Sequence, residues 1–219
     1  MKRSDWFLLF VIMFSFLIGF YFYPKLPDQI PMHWNIQGEV DSYGGKLLGT
    51  TAIPGLNLVL FVLFILLPYI DPRKENYQKF SRVYTIFRWT MHLFFVILYL
   101  LTLVYALNEG KELPSYLSVS FVVPLFVSIL FIIIGNYLGK IKDNFFIGIR
   151  TPWTLSSKEV WYKTHRLASR LFVLSGFLGL IGSFFQGMIS FIMLMVPIMI
   201  STIYILIYSY LEYRKEKKI

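Results

Sequence analysis

Three histidines, one arginine set inside an apolar run, and the string IGIRTPWT at Ile147–Thr154 are where this 219-residue chain has side chains for chemistry. Arg88 and His92 stand four apart, with Tyr84 a turn before and Tyr99 two turns after. On a helix these residues share one polar face. Inside a bilayer such a face serves as a polar binding site or proton relay, or as a histidine hydrogen-bonded to a neighbouring helix. Asp28, Glu39 and Asp41 flank His33 in sequence and form a donor set of the type that holds a cation. The remaining histidine, His165, lies far along the chain, so a zinc site built on two or more histidines has to join distant segments. Cysteine is absent, which removes thiolate nucleophiles, disulfides and Cys-based metal sites. No Gly-x-Ser-x-Gly, His-Glu-x-x-His or phosphate loop occurs. The expectation is a protein that is not an enzyme and that uses no metal and no cofactor; an intramembrane Ser–His pair is the one catalytic arrangement left open.

The elements that must position these groups are hydrophobic. The chain is 57% hydrophobic and 19% aromatic, against about 45–50% apolar residues in soluble domains. Apolar runs long enough to cross a bilayer, which takes ~20 residues, fall at about 6–23, 47–70, 83–107, 116–137, 167–186 and 189–211. The predicted fold is all-α, a polytopic membrane protein with six transmembrane helices. The first run is expected to stay as an uncleaved span, because Tyr21, Phe22 and Tyr23 stand where a signal peptidase needs small residues. Pro124 and Pro197 are expected to kink the fourth and sixth spans. Ser175, Gly179, Ser183 and Gly187 recur every four residues, a spacing that lets helix backbones approach, within the chain or in a homo-oligomer.

Charge sets the orientation. The net charge is +9, and all but four of the 21 lysines and arginines fall before the first span, between the second and third, between the fourth and the early fifth, or after the sixth. The exceptions are Lys25, Lys46, Lys111 and Arg88. The positive-inside rule then places both termini in the cytoplasm. The positive charge reports orientation rather than a nucleic-acid surface, and no nucleic-acid partner is expected.

Two connections are long, and long ordered loops carry function. The outer one, 24–46, is stiffened by Pro24, Pro27 and Pro31, while Gly38, Gly44 and Gly45 supply turn positions. It is expected to form an ordered lid, with His33, Trp34 and Tyr43 at headgroup level. The inner one, 139–166, ends in Ser156 followed three residues on by Glu159, the pattern of a capping box. Trp161, His165, Ala168 and Phe172 share one helical face, with Lys163, Arg166 and Arg170 as a basic stripe. That pattern predicts a helix lying in the inner interface and running into the fifth span. Pro152 holds Thr151 extended and turns Arg150 and Trp153 outward. This elbow is either a structural corner or a docking surface for a cytosolic partner or a lipid phosphate. The chain divides into an N-terminal half, 1–110, and a C-terminal half, 111–219. Each has its long loop after its first span, and KLPDQI at Lys25–Ile30 faintly matches KIKDNF at Lys140–Phe145. The halves are inverted repeats of the transporter type, or the match is coincidence.

The segment GNYLGKIKDNFFIGIRTPWTLSSKEVWYKTHRLASRLFVLSG, from Gly135 to Gly176, resembles the hallmark segment of the SdpI family, and LPDQIPMHWNIQGEVDSYGGK resembles the domain of unknown function associated with it. The family motif falls on Asn136, Gly139, Lys140, Asn144, Gly148, Arg150, Thr151, Pro152, Trp153, Thr154, Trp161, Thr164, His165 and Arg166. The resemblance implies a multi-pass bacterial cell-membrane protein that protects its own cell from a secreted, membrane-active toxin peptide. It also implies, for members that signal, a receptor that holds a cytosolic autorepressor at the membrane. Candidate toxin contacts are Pro27, Asp28, Pro31, His33, Trp34, Asn35 and Gly38. Candidate docking residues are Asn144, Gly148, Arg150, Thr151, Pro152, Trp153, Trp161, His165 and Arg166. The expected partners are thus a hydrophobic toxin peptide, an autorepressor and membrane lipids. The alternative is a small transporter or flippase working through Arg88 and His92.

Overall fold

The computed structural model describes residues 3–108 and 113–218; Lys2, Lys111 and the boundary between the halves lie outside the described residues. Among the described residues, six helices are long and apolar enough to cross a membrane: α1 (Arg3–Phe22), α2 (Lys46–Ile70), α4 (Ser81–Leu107), α5 (Val119–Leu138), α7 (Lys158–Ser183) and α8 (Gly187–Lys217). Two short helices, α3 (Asn76–Lys79) and α6 (Pro152–Ser156), sit in the connections at one end.

The packing is that of a protein whose solvent is lipid. Phe10, Phe14 and Leu17 of α1 and Met199 and Ile203 of α8 are exposed, while Ser15, Asn57, Ser128, Ser175 and Ser201 are buried. Helices in hydrocarbon gain nothing by hiding leucine from lipid, so contacts go to small residues and hydrogen-bonding groups. Glycine is used accordingly between α5 and α7. A Cβ on Gly176 would stand 2.8 Å from the Ser128 carbonyl oxygen, and one on Gly135 2.8 Å from the Val173 nitrogen. The small-residue stripe is therefore an intrachain seam: Ser175 and Ser201 hydroxyls meet at 3.0 Å between α7 and α8, and Gly179 lies against Ser128 and Leu194. Gly187 is not part of it and starts α8 with φ +53°. Gly176→Val is expected to destabilise the chain by about 1–3 kcal/mol, the usual range for overpacking. Gly55→Ala, where nothing lies within 4 Å, is expected to be neutral or mildly stabilising; thermal unfolding in detergent compares the two.

Two spans begin earlier than the hydropathy suggests. α1 starts at Arg3, which brings Asp5 inside the bundle. α7 starts at Lys158 and runs unbroken to Ser183, so the predicted amphipathic helix does run into the fifth span. The expected capping box at Ser156 and Glu159 is also corrected. Ser157, extended at φ −141°, is the residue whose side chain accepts the Val160 amide, whereas the Ser156 hydroxyl donates back to the Pro152 carbonyl. The face of Trp161, His165 and Ala168 packs inward against Leu138, Ile141 and Ile147.

The fold is not purely helical. The outer loop forms an antiparallel hairpin of β1 (Gln29–Trp34) and β2 (Val40–Gly45), with Gln29 opposite Gly45 and Ile30 opposite Gly44. Gly38 takes φ +84° between the strands, a conformation that glycine adopts without strain. Ile30 anchors the hairpin in a cluster with Leu26, Tyr99, Leu103 and Ala106. It fits only because Gly49 lacks a Cβ, which would fall 2.6 Å from that of Ile30.

The connections segregate to two ends. Arg73 in the α2–α3 connection donates to the Leu155 carbonyl at 2.8 Å and pairs with Asp143 at 3.1 Å. Lys163 pairs with Glu212 at 3.2 Å, and Ser157 bonds Glu216, so the C-terminal end of α8 joins the same basic end. The hairpin lies at the other end, where Trp34 packs with Tyr105 and Val122.

Candidate functional site

At the basic end the segment between α5 and α7 is tied into a knuckle by its own polar side chains. Asn144 is fully buried and uses both ends of its amide. Its oxygen accepts the Phe146 and Ile147 amides at 2.9 and 2.6 Å, and its nitrogen donates to the Lys142 and Ile147 carbonyls at 2.9 and 3.0 Å. The chain then passes Gly148 at φ +107°, a backbone that L side chains avoid. This turn points the Ile149 amide at His165 Nε2, 2.9 Å away, while His165 Nδ1 lies 2.9 Å from the Trp161 carbonyl. An amide only donates and a carbonyl only accepts, so the imidazole is neutral with its proton on Nδ1. The Trp161 ring stacks on it at 4.0 Å and 19°, and its indole donates to the Ile141 carbonyl at 2.9 Å.

The next residues carry the capping box of this region, at Thr151 and Thr154 rather than at Ser156. Thr154 Oγ1 also donates to the Ile149 carbonyl at 2.8 Å, and the Thr151 and Ser209 hydroxyls meet at 3.3 Å, fastening the knuckle to α8. The docking candidates thereby separate into two groups. Asn144, Thr151, Trp161 and His165 are buried and, with the half-buried turn at Gly148, build the scaffold. Arg150, Pro152 and Arg166 are exposed, and Trp153 is half-buried with its ring 5.1 Å from Tyr210. Arg150 donates to the Phe145 carbonyl at 3.0 Å and Arg166 to the Tyr162 hydroxyl at 3.3 Å.

Asp71 is a buried carboxylate at the end of α2 that braces the same end of the bundle. It is 2% exposed and accepts from the Arg73 amide, the Tyr77 hydroxyl and the Phe145 amide at 2.7, 3.1 and 2.9 Å, joining the two halves. Its signal is the Asp-Pro step that ends an apolar run, a turn former rather than a helix continuation. Burial first, then the Asp71 carboxylate, pushes the Tyr77 phenol well above its ordinary range, so the hydroxyl stays a donor in alkaline solution.

At the hairpin end, His33 Nδ1 and Asp41 Oδ1 are 2.5 Å apart on an exposed surface, and the Asn35 amide holds Glu39 at 3.0 Å. Asp28, Glu39, Asp41 and His33 do not converge into a metal-binding group among the described residues. The Trp34 ring packs edge-on against Tyr105 at 5.6 Å. Pro31 is buried, Pro27 half-buried and Asp28 exposed, and the Asp28 carbonyl accepts the Lys46 amide at 2.9 Å.

The polar face of α4 is a set of inter-helix ties. Arg88 pairs with Asp5 of α1 at 3.0 Å and lies over the Phe61 and Tyr84 rings, each at 5.8 Å. His92 Nδ1 is 2.6 Å from the Asn57 amide oxygen, whose nitrogen donates to the His92 carbonyl at 3.2 Å. Tyr84 donates to the Phe64 carbonyl and Tyr99 to the Thr50 carbonyl. Asp5 puts a carboxylate inside a spanning helix, because α1 begins before the apolar run does.

Comparison with known proteins matches the SdpI/YfhL protein family over residues 140–209 and a domain of unknown function, DUF1648, over residues 10–58. A Bacillus subtilis relative, Immunity protein SdpI, is 29% identical over 207 residues, covering 94% of each chain. The chain belongs to the SdpI/YfhL family. The family match begins within the knuckle and extends through α6 and α7 into α8, and the DUF1648 match contains the whole hairpin. Bacillus subtilis Uncharacterized membrane protein YbgB is 36% identical over 70 residues, 32% of this chain and 67% of that one. No solved structure matches. With its six spanning helices, this SdpI/YfhL member is a multi-pass protein of the cell membrane.

Proposed function

We propose that this chain is an immunity protein, binding a secreted, membrane-active peptide toxin at the hairpin end and relaying that binding to a cytosolic repressor at the basic end. The observation that carries the reading is similarity to Immunity protein SdpI along nearly the whole of both chains. The two polar constellations supply a physical route. A peptide arriving from outside meets the exposed hairpin residues His33 and Tyr43 and the half-buried Asn35. The knuckle holds Arg150, Pro152, Trp153 and Arg166 toward the opposite aqueous phase on a scaffold of buried hydrogen bonds. Positive charge at that end favours the cytoplasm. The reading involves binding only, without catalysis or cofactor.

The test is toxin challenge of sensitive cells expressing the full chain. Wild-type chain should protect, and His33→Ala combined with Tyr43→Ala should weaken protection by about tenfold in toxin dose, the equivalent of about 1.4 kcal/mol of binding. Arg150→Ala with Trp153→Ala should leave protection intact and abolish recruitment of the regulator to membrane fractions. Unchanged killing by wild-type-expressing cells overturns the immunity reading; intact recruitment by the second variant overturns the relay.

A further inference from the structure

Between α1, α2 and α4, at the basic end, lies a cavity of about 580 Å3 that neither the hairpin nor the knuckle touches. It is in the size range of sites that hold a small ligand. Its wall on α2 is apolar, made by Phe64, Ile65 and Pro68 with Tyr69 at the rim. Its floor is the ion pair of Asp5 and Arg88, and its mouth carries Lys74, Glu75 and Gln78, all exposed. α2 ends at Ile70, so the cavity spans the last turns of a membrane helix and the first polar residues beyond it, the level of lipid headgroups. Arg88 is 7% exposed, and its Nε and Nη2 are buried without a hydrogen-bond partner among the described residues. These two donors are closed off from the cavity, so Arg88 acts on whatever occupies it as a charge over distance, beside the Asp5 carboxylate it pairs with.

The lining charges say what kind of group fits. Two cations, Lys74 and Arg88, and two carboxylates, Asp5 and Glu75, border the same space. A purely anionic headgroup would meet both carboxylates, and a purely cationic one both cations. We propose that the cavity seats one glycerophospholipid with a zwitterionic phosphoethanolamine headgroup. Its phosphate is drawn to Lys74 and Arg88, its primary ammonium to Glu75 and Asp5, and its acyl chains lie along Ile65, Pro68 and Tyr69. Basic pockets between transmembrane helices at headgroup depth bind lipid phosphates by this same chemistry.

The experiment is native mass spectrometry of the full chain released from nanodiscs containing phosphatidylethanolamine and phosphatidylglycerol in equal amounts. One retained lipid is expected, with phosphatidylethanolamine favoured by about tenfold. Glu75→Lys, at an exposed position whose change leaves the core untouched, should bring that preference to parity or reverse it. Soluble glycerophosphoethanolamine, which has the headgroup without acyl chains, should fail to displace the lipid. Absence of retained lipid, equal retention of both lipids by wild type, or an unchanged preference in Glu75→Lys each overturns the proposal. So does displacement by the soluble headgroup, or a co-purifying peptide in place of lipid. None of these readouts depends on toxin protection, so this site and the immunity reading stand or fall separately.

Discussion

Gly148→Ala is expected to collapse the basic-end knuckle and, with it, the function that depends on its geometry. The backbone at Gly148 has φ +107°, and a side chain held there costs about 1–3 kcal/mol. The added Cβ would also run into His165 Nε2. That nitrogen is the acceptor of the Ile149 amide, and displacing the ring leaves a buried donor unmatched at a further ~1–3 kcal/mol. The two costs act on one turn, so a total of roughly 2–6 kcal/mol is expected. Such a loss is a large share of the stability of an ordinary domain. Thermal unfolding in detergent and limited proteolysis at 139–157 measure it. Gly45→Ala is the control, since Gly45 has φ −60° and nothing within 4 Å of a Cβ. Equal melting of Gly148→Ala and wild type would remove the histidine-braced turn from the explanation of the fold.

Asp5→Leu is expected to destabilise the N-terminal half by about 3–5 kcal/mol, because it strands the buried Arg88 guanidinium without its counter-charge. Asp5 and Arg88 are both buried, at 6% and 7% exposure, and meet at 3.0 Å between α1 and α4. The double change Asp5→Leu with Arg88→Met removes both charges and keeps the volume apolar, so most of the loss should return. Unfolding of the four species gives the coupling directly. A single change that costs no more than the double would show that Asp5 is not what compensates Arg88.

Several features were legible before any coordinates. Six apolar runs are six helices, because each is long enough to satisfy its backbone inside hydrocarbon. The two long connections carry ordered structure, and alternating connections fall at opposite ends. Gly135–Gly176 carried the family resemblance, and the family match covers most of it.

What the sequence left undetermined is which way each of those residues points. The string at Ile147–Thr154 reads as a display surface, yet Thr151 and Thr154 turn inward to fasten the turn and only Arg150 and Pro152 are fully outside. His165 lies among cationic residues on α7 and is nevertheless wholly buried against Trp161. Asp5 precedes the first apolar run, and nothing local shows that Arg88, far along the chain, is waiting for it. The reason is the medium. In water, apolar periodicity marks the buried face of a helix; in lipid, the outside is as apolar as the core. Along α1, the exposed Phe10, Phe14 and Leu17 and the buried Leu8 and Ile12 are interchangeable by hydropathy. The spans therefore follow from composition. Contacts between helices rest on glycine clearances and on pairs such as Asp5 with Arg88 and Asn57 with His92, which exist only once the helices are assembled.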